Sequence, residues 1–266
     1  MLPLVESANL GPLAMIGAPI ILALLYARRA HTLAVEGHDP VPGWRQVCFY
    51  GGLLTIAVAL LWLDGAGREL LYMNTSERLL VGDIAPLLLV LGLTGPLIAP
   101  ALRVGCLRRL SALAHPLIAL PLWAIDLYVW HLPVSYEATL RHPAVNVLAL
   151  ALLLGCATNM WMCLFGPLPA PSWFGNHAKL AYILAVRLTG ALFGNILLWS
   201  GNLIYPYYIH SDAAHNIAPV ADQNIAGAVI VVEEAILTLG LLCWLFLSTA
   251  RESQERRGAL GRPLVR

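Results

Sequence analysis

Four of the eight histidines lie in or beside two connections between long apolar segments, and they are the first candidates for chemistry. His131 and His142 flank one connection, and His210 and His215 lie in another. A neutral imidazole is a good ligand for copper or zinc at neutral pH. The spacings of eleven and five residues match no compact ligand motif. These histidines are therefore candidate metal ligands, and solvated or hydrogen-bonded loop histidines are the alternative interpretation.

Five charged residues lie inside apolar segments, where charge is costly. They are Asp83, Asp126, Arg187, Glu233 and Glu234. A charge in hydrocarbon costs about 2.5–3.5 kcal/mol on insertion scales, so each should face the interior of a helical bundle and find a partner. The depths of Arg187, Glu233 and Glu234 in their segments predict an ion pair near the middle of the membrane. Such a pair either fixes helix packing or lines a path for protons or ions, and the sequence leaves both open.

The elements that position these residues are those of an integral membrane protein. The chain is 59% hydrophobic and 12% charged, with mean hydropathy +0.74, whereas soluble domains carry about 25% charged residues. A spanning helix needs about 20 mostly apolar residues. Seven segments qualify, at about 10–27, 46–63, 79–100, 112–131, 144–166, 179–200 and 224–248. Their apolar runs are continuous rather than alternating, which favours helices over a barrel.

The prediction is thus an all-α, polytopic integral membrane protein with a seven-transmembrane-helix bundle. Residues 1–250 form a single membrane domain, and residues 251–266 form a short basic cytoplasmic tail. Gly190 and Gly194, four residues apart in the sixth segment, predict close packing of that helix on a neighbour.

Basic residues are distributed unevenly between the two sides of these seven segments. Twelve lysines and arginines fall on one side, three on the other, and Arg187 lies within a span. The positive-inside rule places the side with twelve in the cytoplasm. The N-terminus is then outside and the C-terminus inside, and all four candidate histidines lie on the outer face.

No pattern in the sequence predicts an enzyme. We find no acyl-transfer triad with its usual turn, no phosphate-binding glycine loop and no nucleic-acid-binding patch. We therefore expect no catalytic residues, no cofactor other than a metal, no nucleic-acid partner, and the lipid bilayer as surroundings.

Four short elements, in order along the chain, resemble the CtaG-type assembly factors of bacterial cytochrome c oxidase. They are "LLVGDIAPLLLVLGLTGP" (79–96), "HLPVSYEATLRHP" (131–143), "LIYPYY" (203–208) and "DQNIAG" (222–227). The resemblance implies a seven-span protein of the bacterial inner membrane. It also implies a role in maturation of the heme–copper oxidase, with oxidase subunits as partners and copper delivery as the usual proposal.

On this interpretation, copper would bind His131 and His142, with help from His210 or His215. Asp83 and Asp126 would orient these ligands or pair with charges, and Asp222 and Gln223 would cap the last span at its outer end. The chain departs from the family where members carry a His-x-x-x-His pair, because Asn74 and Arg78 stand there. Asn is a poor ligand for Cu(I), and Arg is cationic.

Two other functions compete with oxidase assembly. One is a small transporter or ion-conducting protein that uses Arg187, Glu233 and Glu234. The other is a purely structural partner that holds a nascent oxidase subunit and binds no metal.

Overall fold

A computed structural model of the chain describes residues 10–105 and 111–260, and within these residues it is helical with no strand. We number the helices α1 (Leu10–Val35), α2 (Gly43–Val58), α3 (Leu71–Gly92), α4 (Gly95–Arg103), α5 (Pro116–His131), α6 (Pro133–Arg141), α7 (Pro143–Phe165), α8 (Asn176–Trp199), α9 (Ile209–Ala214) and α10 (Pro219–Leu260). A π-helical turn over Ala59–Leu63 and a short turn over Asp64–Gly67 prolong α2, and α3 contains a π-helical segment over Leu80–Ile84.

Five of these helices are long and apolar enough to cross a membrane, and the number rises to seven if each of two bent pairs is one span. The five lie in α1, in α2 with the π-helical turn that prolongs it, and in α7, α8 and α10, and the bent pairs are α3 with α4 and α5 with α6. The all-helical prediction is confirmed, and every predicted segment falls on a helix or a bent pair. Large apolar side chains face outward, as lipid contact requires: Leu24 is 65% exposed and Val47 72%.

Both bends occur next to a proline. α3 and α4 meet at 100°, where Leu93 and Thr94 are extended and Pro96 lies in the first turn of α4. α5 and α6 meet at 70°, where Leu132 is extended immediately before Pro133. Proline disfavours the helical conformation of the residue before it, which accounts for the extended Leu132. It also lacks the N–H that a helix interior needs, so Pro96 is suited to the first turn of a new helix rather than to the interior of α3. The third predicted segment, over 79–100, therefore falls on two helices that meet at a bend.

The helix that carries the start of the third predicted segment begins earlier than that segment, at Leu71 rather than near 79. Its first two turns contain Asn74, Thr75, Glu77 and Arg78, and all four are buried. Hydropathy cannot detect these buried helical turns, because polar residues that other parts of the protein cover have the same hydropathy as polar residues in a solvated loop.

Close packing of α8 on α10 organises the interior. A Cβ atom at Gly194 would lie 2.8 Å from Ile230 Cγ2, and one at Gly227 would overlap the backbone of Leu198. At Gly190 a Cβ atom would overlap the carboxylate of Glu234. The predicted role of Gly190 and Gly194 is confirmed, and their missing side chains let a charged residue of α10 lie directly against α8.

Candidate functional site: a buried ion cluster and a polar network at one end of the bundle

Arg187 on α8 is the centre of a buried ion cluster. Its Nη1 lies 2.7 Å from Asp83 Oδ2, 3.1 Å from Glu234 Oε2 and 4.0 Å from Glu233 Oε1. Arg187 is 3% exposed. The predicted proximity of Arg187 to Glu233 and Glu234 is confirmed, whereas its shortest contact, with Asp83, was not predicted.

Asp83 reaches Arg187 from the π-helical segment of α3. A π-helical turn inserts an extra residue, changes the direction of the side chains, and is often found at functional sites. Trp161 of α7 donates from Nε1 to Asp83 Oδ1 at 2.9 Å. The Arg187 guanidinium lies 5.2 Å from the centre of the Trp161 ring. Three helices therefore fix the pair.

The cluster has more carboxylates than cations. Asp83, Glu233 and Glu234 place carboxylate oxygens within 4.8 Å of one another. In the described part of the chain, no other three His, Cys, Asp or Glu residues bring possible ligand atoms this close together. Counted as ionised, three carboxylates face one guanidinium. Carboxylate oxygens suit hard cations, but Arg187 already contacts all three groups. A bound proton or cation would offset the surplus negative charge.

A cavity with about 50 Å³ of room for water lies between this cluster and the end of the bundle where α3 begins. Asp83 and Glu234 line it at one end, and Arg78 and His131 line it further along α3 and α5. Much of the remaining wall is apolar or aromatic. A cavity needs about 10–15 Å³ of such room for each water molecule, so this one has space for a few.

A hydrogen-bonded network surrounds Asn74 and Arg78, the residues that depart from the family pattern. Tyr136 donates its hydroxyl to Asn74 Oδ1 at 2.6 Å, and Arg78 donates from Nε to the same oxygen at 2.8 Å. Arg78 also donates from Nη2 to Thr139 Oγ1 at 2.8 Å. Asn74 and Arg78 therefore act together, because the amide oxygen of Asn74 accepts hydrogen bonds from both Arg78 and Tyr136. Sequence reasoning identified the departure but missed this role, although the four-residue spacing on one helix face was a usable signal.

The four candidate histidines occupy different environments. His131 lines the cavity, and its Nδ1 lies 2.6 Å from the carbonyl oxygen of Leu127. His215 places Nδ1 2.8 Å from Ser211 O and Nε2 3.2 Å from Glu69. His142 and His210 are exposed. Among the residues that the structure describes, no three of these histidines share a ligand-sized space.

Asp222 and Gln223 lie in the first turns of α10, but their contacts correct the predicted role. Asp222 accepts hydrogen bonds from the backbone N–H groups of Leu71 at 2.6 Å and Tyr72 at 3.1 Å. It therefore caps α3 instead of its own helix. Gln223 accepts from Ile204 N at 2.7 Å and donates to Asn202 O at 3.1 Å, which anchors the connection after α8.

Asp126 also has a partner other than the expected one. Its Oδ1 accepts from Trp130 Nε1 at 3.0 Å, one turn along the same helix. This contact does not test the predicted role of Asp126 as an orienter of a histidine ligand or a charge partner, which stays a prediction.

Asp212 of α9 is fully buried near Asp222, in the connection between the two last long helices. Its carboxyl oxygens face no donor when both carboxylates are ionised, whereas a proton on Asp212 would allow a hydrogen bond to Asp222. Burial and the neighbouring charge of Asp222 raise the pKa of Asp212 to about 7. Burial likewise raises the pKa of Tyr205 and Tyr208 above the ordinary value, so both phenols remain neutral donors. Tyr205 donates to His131 O at 2.7 Å, and Tyr208 donates to Gly67 O at 3.0 Å.

The fold and these two sites define a multi-pass helical membrane protein with an ion cluster in its interior and a tyrosine-rich polar network at one end. Residues 13–252 match the family model described as cytochrome c oxidase caa3 assembly factor, Caa3_CtaG. The chain belongs to this family, because the match covers most of its length. No curated protein and no solved structure matches it. The family match favours an accessory role in oxidase assembly and gives no support to the transport alternative.

Proposed function

We propose that this chain is a membrane accessory factor for the assembly of a heme–copper cytochrome c oxidase. The observation that carries the proposal is the family match over residues 13–252. We assign no bond-making chemistry to it. It would act in the bacterial cytoplasmic membrane and contact one or more oxidase subunits.

We propose seven spans, with the N-terminus outside and the C-terminus in the cytoplasm. Each bent pair then counts as one span, and the uneven distribution of basic residues sets the orientation. This arrangement puts the network of Asn74, Arg78 and Tyr136 at the outer face. The periplasmic side of the membrane is therefore where we expect the oxidase subunit to be met.

We further propose that the chain handles copper as cargo rather than as a resident cofactor. The supporting observation is the contact of His131 Nδ1 with Leu127 O at 2.6 Å. A carbonyl oxygen only accepts, so Nδ1 carries the proton and Nε2 keeps its lone pair, the arrangement usual for a metal-bound histidine. His142, His210 and His215 lie apart from it. One oriented imidazole, with the other three histidines apart from it, suits transient binding of copper better than storage of copper.

Deletion in the native host tests the assembly role. We expect heme–copper oxidase activity and its heme signal in reduced-minus-oxidised membrane spectra to fall, and to return when the wild-type chain is supplied. Unchanged oxidase in the deletion strain, in both copper-limited and copper-replete medium, would refute the proposal.

Point variants in the same strain test the copper part separately. Supplying His131→Gln should restore less oxidase in copper-limited medium than in replete medium, while His31→Gln, an exposed histidine on α1, should behave as wild type. If His131→Gln restores oxidase fully at limiting copper, His131 does not handle copper, and the assembly role is unaffected.

A further inference from the structure

Arg78 is a buried cation with one side of its guanidinium unused. It is 4% exposed. Asn74 and Thr139 hold Nε and Nη2 at 2.8 Å each, and the Tyr136 ring centre lies 4.9 Å from the guanidinium carbon. Nη1 is buried and has no hydrogen-bond partner. A buried donor without a partner costs about 1–3 kcal/mol, and more when it is charged, so this nitrogen calls for an acceptor.

The space next to this arginine is the cavity already described. Thr75 and His131 line it together with Arg78, and Leu127 and Phe193 contribute apolar wall. Asp83 lies five residues along α3, about 7.5 Å along the helix axis. Its carboxylate is held by Arg187 at 2.7 Å. Asp83 at the acidic end of the cavity therefore has its own cation, while Nη1 of Arg78 at the other end keeps an unmatched donor.

We propose that this cavity binds a small monovalent anion of the short-chain carboxylate class. Arg78 Nη1 would donate to one carboxylate oxygen, and the hydroxyl of Thr75, which also lines the cavity, would donate to the other. Room of about 50 Å³ fits roughly three to five heavy atoms at 10–15 Å³ each, and the apolar wall suits a methyl or methylene group better than it suits a bare halide. An anion with two charges would be repelled by Asp83 and Glu234 at the far end.

The carboxylate has two sources: a free small acid, or the end of a longer ligand that projects from the cavity. Both present the same chemistry to Arg78. The two sources differ in length, so acetate and octanoate distinguish them. If octanoate competes with acetate for the cavity, the ligand is the end of a longer molecule. If octanoate does not displace acetate, the ligand is a free small acid. The site does not depend on the oxidase role.

Binding of acetate to the purified full-length protein in detergent tests the proposal. Saturation transfer from protein to the acetate methyl group would be followed by NMR at constant ionic strength. We expect saturable binding of one acetate per chain and a dissociation constant at least tenfold higher in Arg78→Gln. The control is Arg141→Gln, whose arginine is exposed and paired with Glu137 at 2.7 Å, and there the dissociation constant should change less than twofold.

A second variant covers the case in which Arg78→Gln does not fold. Leu127→Phe adds volume to the cavity wall without touching a charge, and it should also abolish acetate binding. Absence of saturable binding to the wild type would overturn the proposal. Equal affinity in folded Arg78→Gln or in Leu127→Phe, or equal affinity for chloride and acetate, would overturn it as well.

Discussion

Removing the guanidinium of Arg187 should be among the most destabilising single changes in this chain. Arg187→Gln takes the cation away from Asp83 at 2.7 Å and from Glu234 at 3.1 Å. The hydrogen bond to Asp83 is one to a charged group and contributes about 1.5–3 kcal/mol, and the contact with Glu234 adds an ion pair without a hydrogen bond. Breaking a buried ion pair costs about 3–5 kcal/mol by direct comparison. We therefore expect a loss of about 3–5 kcal/mol.

The assay is unfolding of the purified protein in detergent, followed by tryptophan fluorescence. Arg141→Gln is the matched control, because it removes the same group from an exposed pair and should cost about 0–1 kcal/mol. Adding Asp83→Asn to Arg187→Gln should cost less than the sum of the two single losses, since one unpaired carboxylate is removed. The reasoning is refuted if Arg187→Gln costs no more than Arg141→Gln, or if the double variant shows the full sum.

Two further predictions concern the connection between α8 and α10, which contains Asp212, and the contact between those two helices. Burial and the charge of Asp222 raise the pKa of Asp212 from 3.8 in the unfolded chain to about 7 in the folded chain. Between about pH 4 and 7 the Asp212 carboxyl is therefore protonated only in the folded chain. The free energy of unfolding should fall as pH rises through that range, by at most about 4 kcal/mol. Asp212→Asn should flatten the pH dependence of the unfolding midpoint between pH 5 and 8, and an unchanged slope would contradict this. Gly190→Ala should lower the thermal midpoint, because the added methyl overlaps Glu234 and overpacking costs about 1–3 kcal/mol. Gly155→Ala, with open space around it, is the control, and equal midpoints would contradict the packing argument.

Much of the architecture follows from the sequence because hydrophobic length is a local property. Each apolar run marked a helix or bent pair, and the period of small residues at Gly190 and Gly194 predicted the close contact of α8. Depth within a span also sufficed to bring Arg187 near Glu233 and Glu234. These inferences need only helix geometry and the cost of burying charge.

The rest depends on groups that come from far along the chain. The first turns of α3 are buried because Tyr136 and Thr139 of α6 cover them, 62 and 61 residues from their partners Asn74 and Arg78. Asp222 caps a helix whose first residue is 151 positions earlier. No local pattern specifies such partners, so the role of Asp222 was assigned to the wrong helix.

The contact between Asp83 and Arg187 illustrates the same limit within the membrane. The two residues are 104 positions apart, and the π-helical segment that turns Asp83 toward α8 has no sequence signature that we recognised. The cavity beside Arg78 depends in turn on how five helices meet, which hydropathy does not determine.

The amount of assembled oxidase as a function of the amount of this chain tests the account most directly. The chain would be placed under an inducible promoter in its native host, and membrane difference spectra would give heme–copper oxidase content at each level of expression. We predict that oxidase content falls as the chain is depleted and recovers on induction, while other cytochromes change little. Constant oxidase content after complete depletion would contradict the assembly role.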